Sequence, residues 1–488
     1  TKNTYKQTFW FTLINYLGIA IGVVSTLFVY PKDTEFLGII RYIDGAAQLL
    51  YPVLVFGAAQ TMIHFYPIVS NSNKHLLFKY GLFTILIMGL LLSLLLISGY
   101  FLLDYENYMY LLLALPLTFM LALVELFKRQ ATNLQKLAVP TFYEKIIPKV
   151  ALPLVFLLFL SKYLSLFESI WVYIFSYIFL MFFMGIYVFK NMQFTIDFNF
   201  KPLFAEVSRK SYYQYSLYVF TGSFGSFFAF RVDSLMIPEF LSFDAAGIYT
   251  IGVTLASAIA IPATGLFALY APVVSNYIKT NDIVALGMKY RETSKLLFFI
   301  GGLFFGSVVV GVESLFELMP SKEKLVQAIP IIYILGANVL INMATGFNTE
   351  IINYSKYFKF NLQAILTLVF VNVGLNLFFL IQTDLGILGV AYASLIAMTI
   401  FNVAKTYFIY IKFQILPFDR SFFQLFLLLT VLVLVIYFLP NASNLWFNVC
   451  VKTISFGFLA VGITYKLQLV YSLNEWVDKL LKKVNIGK

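Results

Sequence analysis

The sequence predicts an all-α polytopic membrane protein of about fourteen transmembrane helices. Three observations lead there. The chain of 488 residues is 61% hydrophobic and only 12% charged, with a mean hydropathy of +0.86. A soluble fold of that size cannot hide so much apolar surface, whereas lipid accepts it. The apolar residues fall in runs of roughly 20, the length that crosses a hydrocarbon core. Basic residues collect in alternate connections, which is the positive-inside bias of membrane proteins.

The runs lie near 8–30, 37–58, 78–102, 108–127, 142–161, 167–189, 213–238, 246–272, 294–316, 328–349, 361–381, 385–408, 421–439 and 446–466. No connection is long enough to fold alone, and 191–212 and 276–293 are expected as interfacial helices. With a cytoplasmic N-terminus, 27 of the 34 basic residues fall at inner ends, Lys405 among them, and 6 at outer ends; Arg231 is left within a span. A missed or extra helix breaks this alternation, so both termini are expected inside. The many tyrosines near the ends of runs read as interfacial belts.

The halves resemble each other. DTEFLGIIRY, then Gly57, is matched by SFDAAGIYTI, then Gly265; Gly38 and Gly247 are 209 positions apart. Six helices per half give a parallel repeat about an axis along the membrane normal. The expected division is a first lobe over 1–200, a second over 201–412, and a peripheral lipid-facing helix pair with a cytoplasmic tail over 413–488.

Composition also excludes. A formal charge of +11 in a chain this apolar reads as loop bias, not as a nucleic-acid surface. One cysteine, Cys450, and two histidines, His64 and His75, give no disulfide or metal spacing, and no cofactor is expected. Enzyme signatures are missing: no nucleophile elbow, phosphate-cradling loop or Cys/His cluster. The chain opens at Thr1, so residues before it are expected. The long first run, followed by others, reads as a span and not as a cleaved signal.

A charge deep in a span costs about 2.5–3.5 kcal/mol on insertion scales, so it faces protein or water. Arg231 and Asp233 lie in such a position, two apart and therefore not on one helix face. Arg231 either faces a cavity and meets an anion through its planar fork, or snorkels outward; the residues leave both readings open. Arg41 and Asp44, three apart, are expected to pair, with Asp44 also a coupling candidate. Glu125, Lys128 and Arg129 share one side of the fourth helix, where the cations either collect an anionic head group or simply mark a helix end. Asn338, Asn342, Thr345 and Thr349 recur at helical spacing, as do Asn372 and Asn376; such stripes bond across helices or line a wet cavity. Glu350 is a proton-carrier candidate, and His64 lies at the inner interface.

These segments resemble a known family. DTEFLGIIRYIDGAAQLLYPVLVFG is similar to the first-loop pattern of bacterial polysaccharide flippases. FRVDSLMIPEFLSFDAAGIYTIGVTLA is similar to their mid-chain pattern, and LGILGVAYASLIA to the start of their twelfth helix. The resemblance implies the multidrug/oligosaccharidyl-lipid/polysaccharide exporter fold: two six-helix lobes around a central cavity plus two peripheral helices. It implies that a monomer in the bacterial inner membrane moves an undecaprenyl-pyrophosphate-linked oligosaccharide between leaflets by alternating access, with membrane lipids and either H+ or Na+ as further partners. Arg231 best matches a cavity cation meeting the pyrophosphate, with Arg41 and Arg129 behind it. A lipid II flippase and an ion-coupled multidrug exporter of the same fold are the alternatives. A membrane polymerase or acyltransferase is disfavoured, because no long outer loop or membrane-buried histidine is present.

Overall fold

A computed structural model describes residues 17–103, 105–192 and 199–486, and every regular element in them is a helix. The helices are α1 (Leu17–Lys32), α2 (Thr34–Val55), α3 (Ala58–Phe65), α4 (Lys74–Leu102), α5 (Tyr108–Asn133), α6 (Ala138–Leu160), α7 (Leu166–Lys190), α8 (Lys201–Glu206), α9 (Arg209–Arg231) and α10 (Asp233–Phe240). They continue with α11 (Phe243–Ala258), α12 (Ile261–Lys279), α13 (Ile283–Glu317), α14 (Lys322–Ala344), α15 (Asn348–Tyr354), α16 (Phe358–Gln382), α17 (Ile387–Phe413), α18 (Arg420–Tyr437), α19 (Leu445–Lys466) and α20 (Tyr471–Ile486). Among the described residues, nine helices are long and apolar enough to cross a membrane, and ten with α2 and α3 counted as one span bent by 46°. The other expected spans fall on α1, α6, α9–α10 and α11–α12; residues 8–16 of the first lie outside the described residues, and the other three are interrupted or carry charges and hydroxyls. The chain is a multi-pass membrane protein. Large apolar side chains such as Leu90, Leu95, Phe370 and Phe458 stand exposed, a surface that only lipid solvates well.

The sequence read several spans as single helices that the structure breaks. α2 starts on an Asp33 cap, whose carboxylate accepts the Phe36 N–H at 2.9 Å. It stops where Phe56 and Gly57 both turn left-handed, with φ of 43° and 72°. The 328–349 run breaks at Gly346, with φ of 58°, and α15 begins beyond it. The 246–272 run breaks between Ala258 and Ile261, and Pro262 sits in the first turn of the next helix, where its missing N–H costs no helical bond. The expected interfacial helix over 276–293 does not form: α12 runs to Lys279 and α13 starts at Ile283. Of 191–212, the chain forms α8 and the start of α9, while 193–198 lie outside the described residues.

Chain contacts group the protein into two units, Thr1–Thr250 and Ile251–Lys488. The repeat placed the division near 200; α9 and α10 group with the first unit because they pack on α2. In that unit α2 also packs on α5 and α4, and α7 on α5 and α6. The starts of α2 and α11 cross with almost no separation. A Cβ on Gly38 would lie 1.9 Å from the Phe243 carbonyl oxygen, and one on Gly247 would lie 1.9 Å from that of Thr34. Thr34 and Phe243 are 209 positions apart, as Gly38 and Gly247 are, so the contact is reciprocal. The Thr34 hydroxyl donates to the Asp244 carboxylate at the same crossing. At the end of α8, Glu206 accepts from the Ser70 hydroxyl (2.6 Å), the Ser70 N–H (2.6 Å) and the Asn73 amide (2.5 Å). Those bonds favour the ionised carboxyl and hold its pKa below the usual range.

In the second unit the long helix α13 is the spine, packed on α14, α18 and α19. The helix pair expected to be peripheral shares a core with it: Phe298, Leu425, Leu429, Phe456 and Ala460 pack together, while Phe426 and Leu427 remain exposed. α20, which the sequence reading left as a tail, is an amphipathic helix. Its Leu473 packs against this core, and its Ser472 donates to Glu292 at 2.7 Å.

Candidate functional site

The first unit gathers charge at the middle of α2. Arg41 and Asp44 lie three apart on one face, and Arg41 Nη1 donates to Asp44 Oδ2 at 3.0 Å. Asp44 is 5% exposed, so its charge needs partners. α7 supplies one: the Tyr173 hydroxyl lies 2.9 Å from both carboxylate oxygens, with the Tyr177 hydroxyl 3.1 Å behind it. Helical spacing of four places the two tyrosines in consecutive turns facing Asp44.

Arg231, the last residue of α9, is exposed and stands in the electrostatic reach of Arg41, Asp44, Tyr51 and Tyr177. Arg41 is the guanidinium in contact with Asp44, and Arg231 acts on the same carboxylate from further away. Among the described residues, Arg41 Nε is buried with no acceptor, which leaves donor capacity unused. Asp233, the first residue of α10, accepts from the Tyr249 hydroxyl at 3.0 Å.

The charges continue beyond the cluster. Tyr51, two turns along α2, lies in the field of Arg231, Glu125, Arg129 and Glu144. Arg129 is paired with Glu125 at 2.6 Å and Lys128 with Glu144 at 2.9 Å, so each of these cations has its own acid. Arg41 and Asp44 are thus brought together with Arg231 in their field, while Arg129 and Lys128 are held by their own acids. Tyr51, Tyr173, Tyr177 and Glu144 are additions that the sequence reading did not single out. For the tyrosines the signal was their place in mid-run instead of at its ends.

The remaining candidates belong to the second unit. Among the described residues the side-chain carbonyl oxygen of Asn338 is buried without a partner, the Asn342 backbone oxygen accepts the Thr345 hydroxyl at 2.9 Å, and Asn372 is buried. The expected Asn/Thr stripe is interrupted at Gly346, and Thr349 and Glu350 sit on α15. His64 stacks on Tyr215 at 4.0 Å between ring centres.

No family model matches the chain, and no curated protein matches it in sequence. Solved structures do. A lipid II flippase MurJ in an inward closed conformation superposes with a TM-score of 0.72 at 15% identity, covering 94% of this chain and 99% of that one. An inward-facing multidrug-resistance MATE transporter of the MOP superfamily gives 0.65 at 12% identity over 83% of this chain and 94% of that one. Its outward-facing counterpart gives 0.53 at 12% identity over 84% and 96%. The chain has the MOP-transporter fold. At these identities the likeness is one of fold, and the two kinds of neighbour carry different substrates by name. Within the MOP-transporter fold, the choice between them rests on the side chains this chain presents.

Proposed function

We propose that the chain is a flippase for a polyprenyl-pyrophosphate-linked oligosaccharide, an O-antigen or capsule repeat unit, moved from the cytoplasmic to the outer leaflet of a bacterial inner membrane by alternating access. The observation that carries this reading is the α2–α9 cluster, in which Arg41 and Arg231 outnumber Asp44. A pyrophosphate offers several oxygens to two planar donor forks, and bidentate bonding to phosphate is what a guanidinium does best. Asp44, held by Tyr173, keeps Arg41 in place and leaves its remaining N–H groups to a ligand. The apolar faces of the spans suit a polyprenyl tail. The termini are taken as cytoplasmic on the basis of loop charge.

A cationic drug would meet two guanidinium groups against one carboxylate, which disfavours a multidrug exporter. A lipid II flippase shares the pyrophosphate, so the cluster fits it equally, and the glycan decides between the two. The test is transport of a lipid-linked oligosaccharide in proteoliposomes. Arg231→Ala is expected to lower the rate at least tenfold with unchanged thermal stability, and Arg231→Lys to recover part of it. Full activity of a folded Arg231→Ala protein rejects the site. Identifying the sugar on the lipid that accumulates when the protein is depleted separates the two glycolipids.

A further inference from the structure

The second unit buries a lysine that the proposed transport site does not use. Lys405 lies in α17, eight residues before its end, and is 1% exposed. Its ammonium donates to the Thr349 hydroxyl of α15 at 2.5 Å and sits 4.3 Å above the centre of the Phe401 ring. Glu350, the next residue after Thr349, is the carboxylate acting on it. Around this point the polar groups are linked. The Thr349 hydroxyl donates to Asn348 Oδ1 at 3.2 Å, and Asn402 Oδ1 accepts from Asn348 and from Thr345, each at 3.1 Å. Asn402, Asn348 and Thr345 are all buried.

A buried ammonium is costly unless oxygens and an opposite charge receive it. Here the groups in contact are a hydroxyl and an aromatic face, with the Glu350 carboxylate acting from further away and side-chain amides beside them. Hard metal cations select the same oxygen donors, and the aromatic face also attracts a cation. Thr349 and Glu350 lie after the Gly346 break, so a cation held there ties the separate helix α15 to α17.

We propose that the Lys405 ammonium is the resident cation of this oxygen-lined site, standing where a monovalent metal ion would otherwise bind, so that the second unit works without sodium. This rests on reading the chain as a transporter, but its test needs no substrate. The full-length protein is purified, and its thermal midpoint is compared in NaCl and in choline chloride at equal ionic strength. The wild type is expected to give the same midpoint in both. Lys405→Met keeps the apolar stem, removes the charge and leaves Glu350 unbalanced. Its midpoint is expected to fall in choline chloride and to recover with NaCl in a saturable way. A ligand at about 100 times its Kd raises the folded-to-unfolded ratio about 100-fold. Lys405→Met with Glu350→Gln is expected to lose the recovery.

A folded Lys405→Met protein indifferent to sodium overturns the proposal. So does a wild type that sodium stabilises saturably. Should Lys405→Met fail to fold in either salt, Lys405→Ala, which leaves room for an ion, is run through the same pair of salts. Radiosodium retention is then compared between it and the wild type: retention by the alanine variant alone supports the proposal, and any other pattern overturns it. Failure of the Arg231 transport test leaves all these readouts unmoved.

Discussion

Replacing Gly38 with alanine puts one methyl group at the tightest point of the protein. That carbon would lie 1.9 Å from the Phe243 carbonyl oxygen, 2.7 Å from the carbonyl carbon and 3.1 Å from Cα. Ordinary contact begins at 3.4 Å, so the starts of α2 and α11 must part by about 1.5 Å. The obstacle is backbone, and no rotamer change relieves it. Overpacking costs about 1–3 kcal/mol, and rigid backbone puts this site at the upper end. Helix propensity returns up to about 1 kcal/mol when glycine becomes alanine, leaving a net loss of about 2 kcal/mol. At roughly 2–4 °C per kcal/mol for a unit of this size, the thermal midpoint is expected to fall by about 4–8 °C. Gly247→Ala meets the Thr34 carbonyl at the same 1.9 Å and should behave alike. The double variant should lose less than the sum, because the helices are already parted by the first methyl. Gly374→Ala is the control: nothing lies within 4 Å of its Cβ. A Gly38→Ala midpoint equal to that of Gly374→Ala refutes the crossing, and additive losses refute its being a single contact.

Three other outcomes are expected. Tyr173→Phe removes a hydroxyl bonded to the buried Asp44 carboxylate. Hydrogen bonds to charged groups contribute about 1.5–3 kcal/mol, so the denaturation midpoint should drop by a comparable amount, and an unchanged midpoint means Arg41 alone satisfies Asp44. Glu206 has a carboxyl pKa held down by Ser70 and Asn73. The stability it lends to the Ser70–Asn73 connection is therefore present above the ordinary glutamate pKa and disappears as pH falls through the lower folded value. Hydrogen exchange at the Ser70 amide, measured relative to Glu206→Gln, should show protection in the parent that vanishes on acidification; equal protection in both at neutral pH rejects the contact. In transport, Arg231→Lys should lie between the wild type and Arg231→Ala, and a lysine variant no better than alanine assigns Arg231 a role that charge alone does not serve.

Much of the fold was legible, because span length and loop charge are one-dimensional properties. Among the described residues, each expected span coincides with a helix or a broken helix. The breaks were not legible. Phe56 adopts a left-handed conformation that its residue type disfavours, and Gly346 is one of many glycines in spans. Of the first unit's cluster, Arg41, Asp44 and Arg231 were visible as charges in apolar sequence. Tyr173 and Tyr177 were not, since tyrosine is also the residue of membrane interfaces, and only the fold turns these hydroxyls toward Asp44. Lys405 illustrates the opposite error. A lysine near the end of a run counts as loop charge, and nothing along the chain tells whether its long stem reaches the surface or turns inward to Thr349.

The crossing of α2 and α11 also bears on how such a chain arises. Position 34 of the first half meets position 247 of the second, and position 243 meets position 38. In assemblies this is an isologous contact, the kind two identical subunits make about a two-fold axis. If the chain is the internal repeat that its sequence suggests, a half bearing a glycine at this place holds both sides of the contact and is complementary to a copy of itself. Tandem duplication would then join two subunits that already fitted. The two glycines would be bound together afterwards, because a side chain gained in either half closes the space used by both.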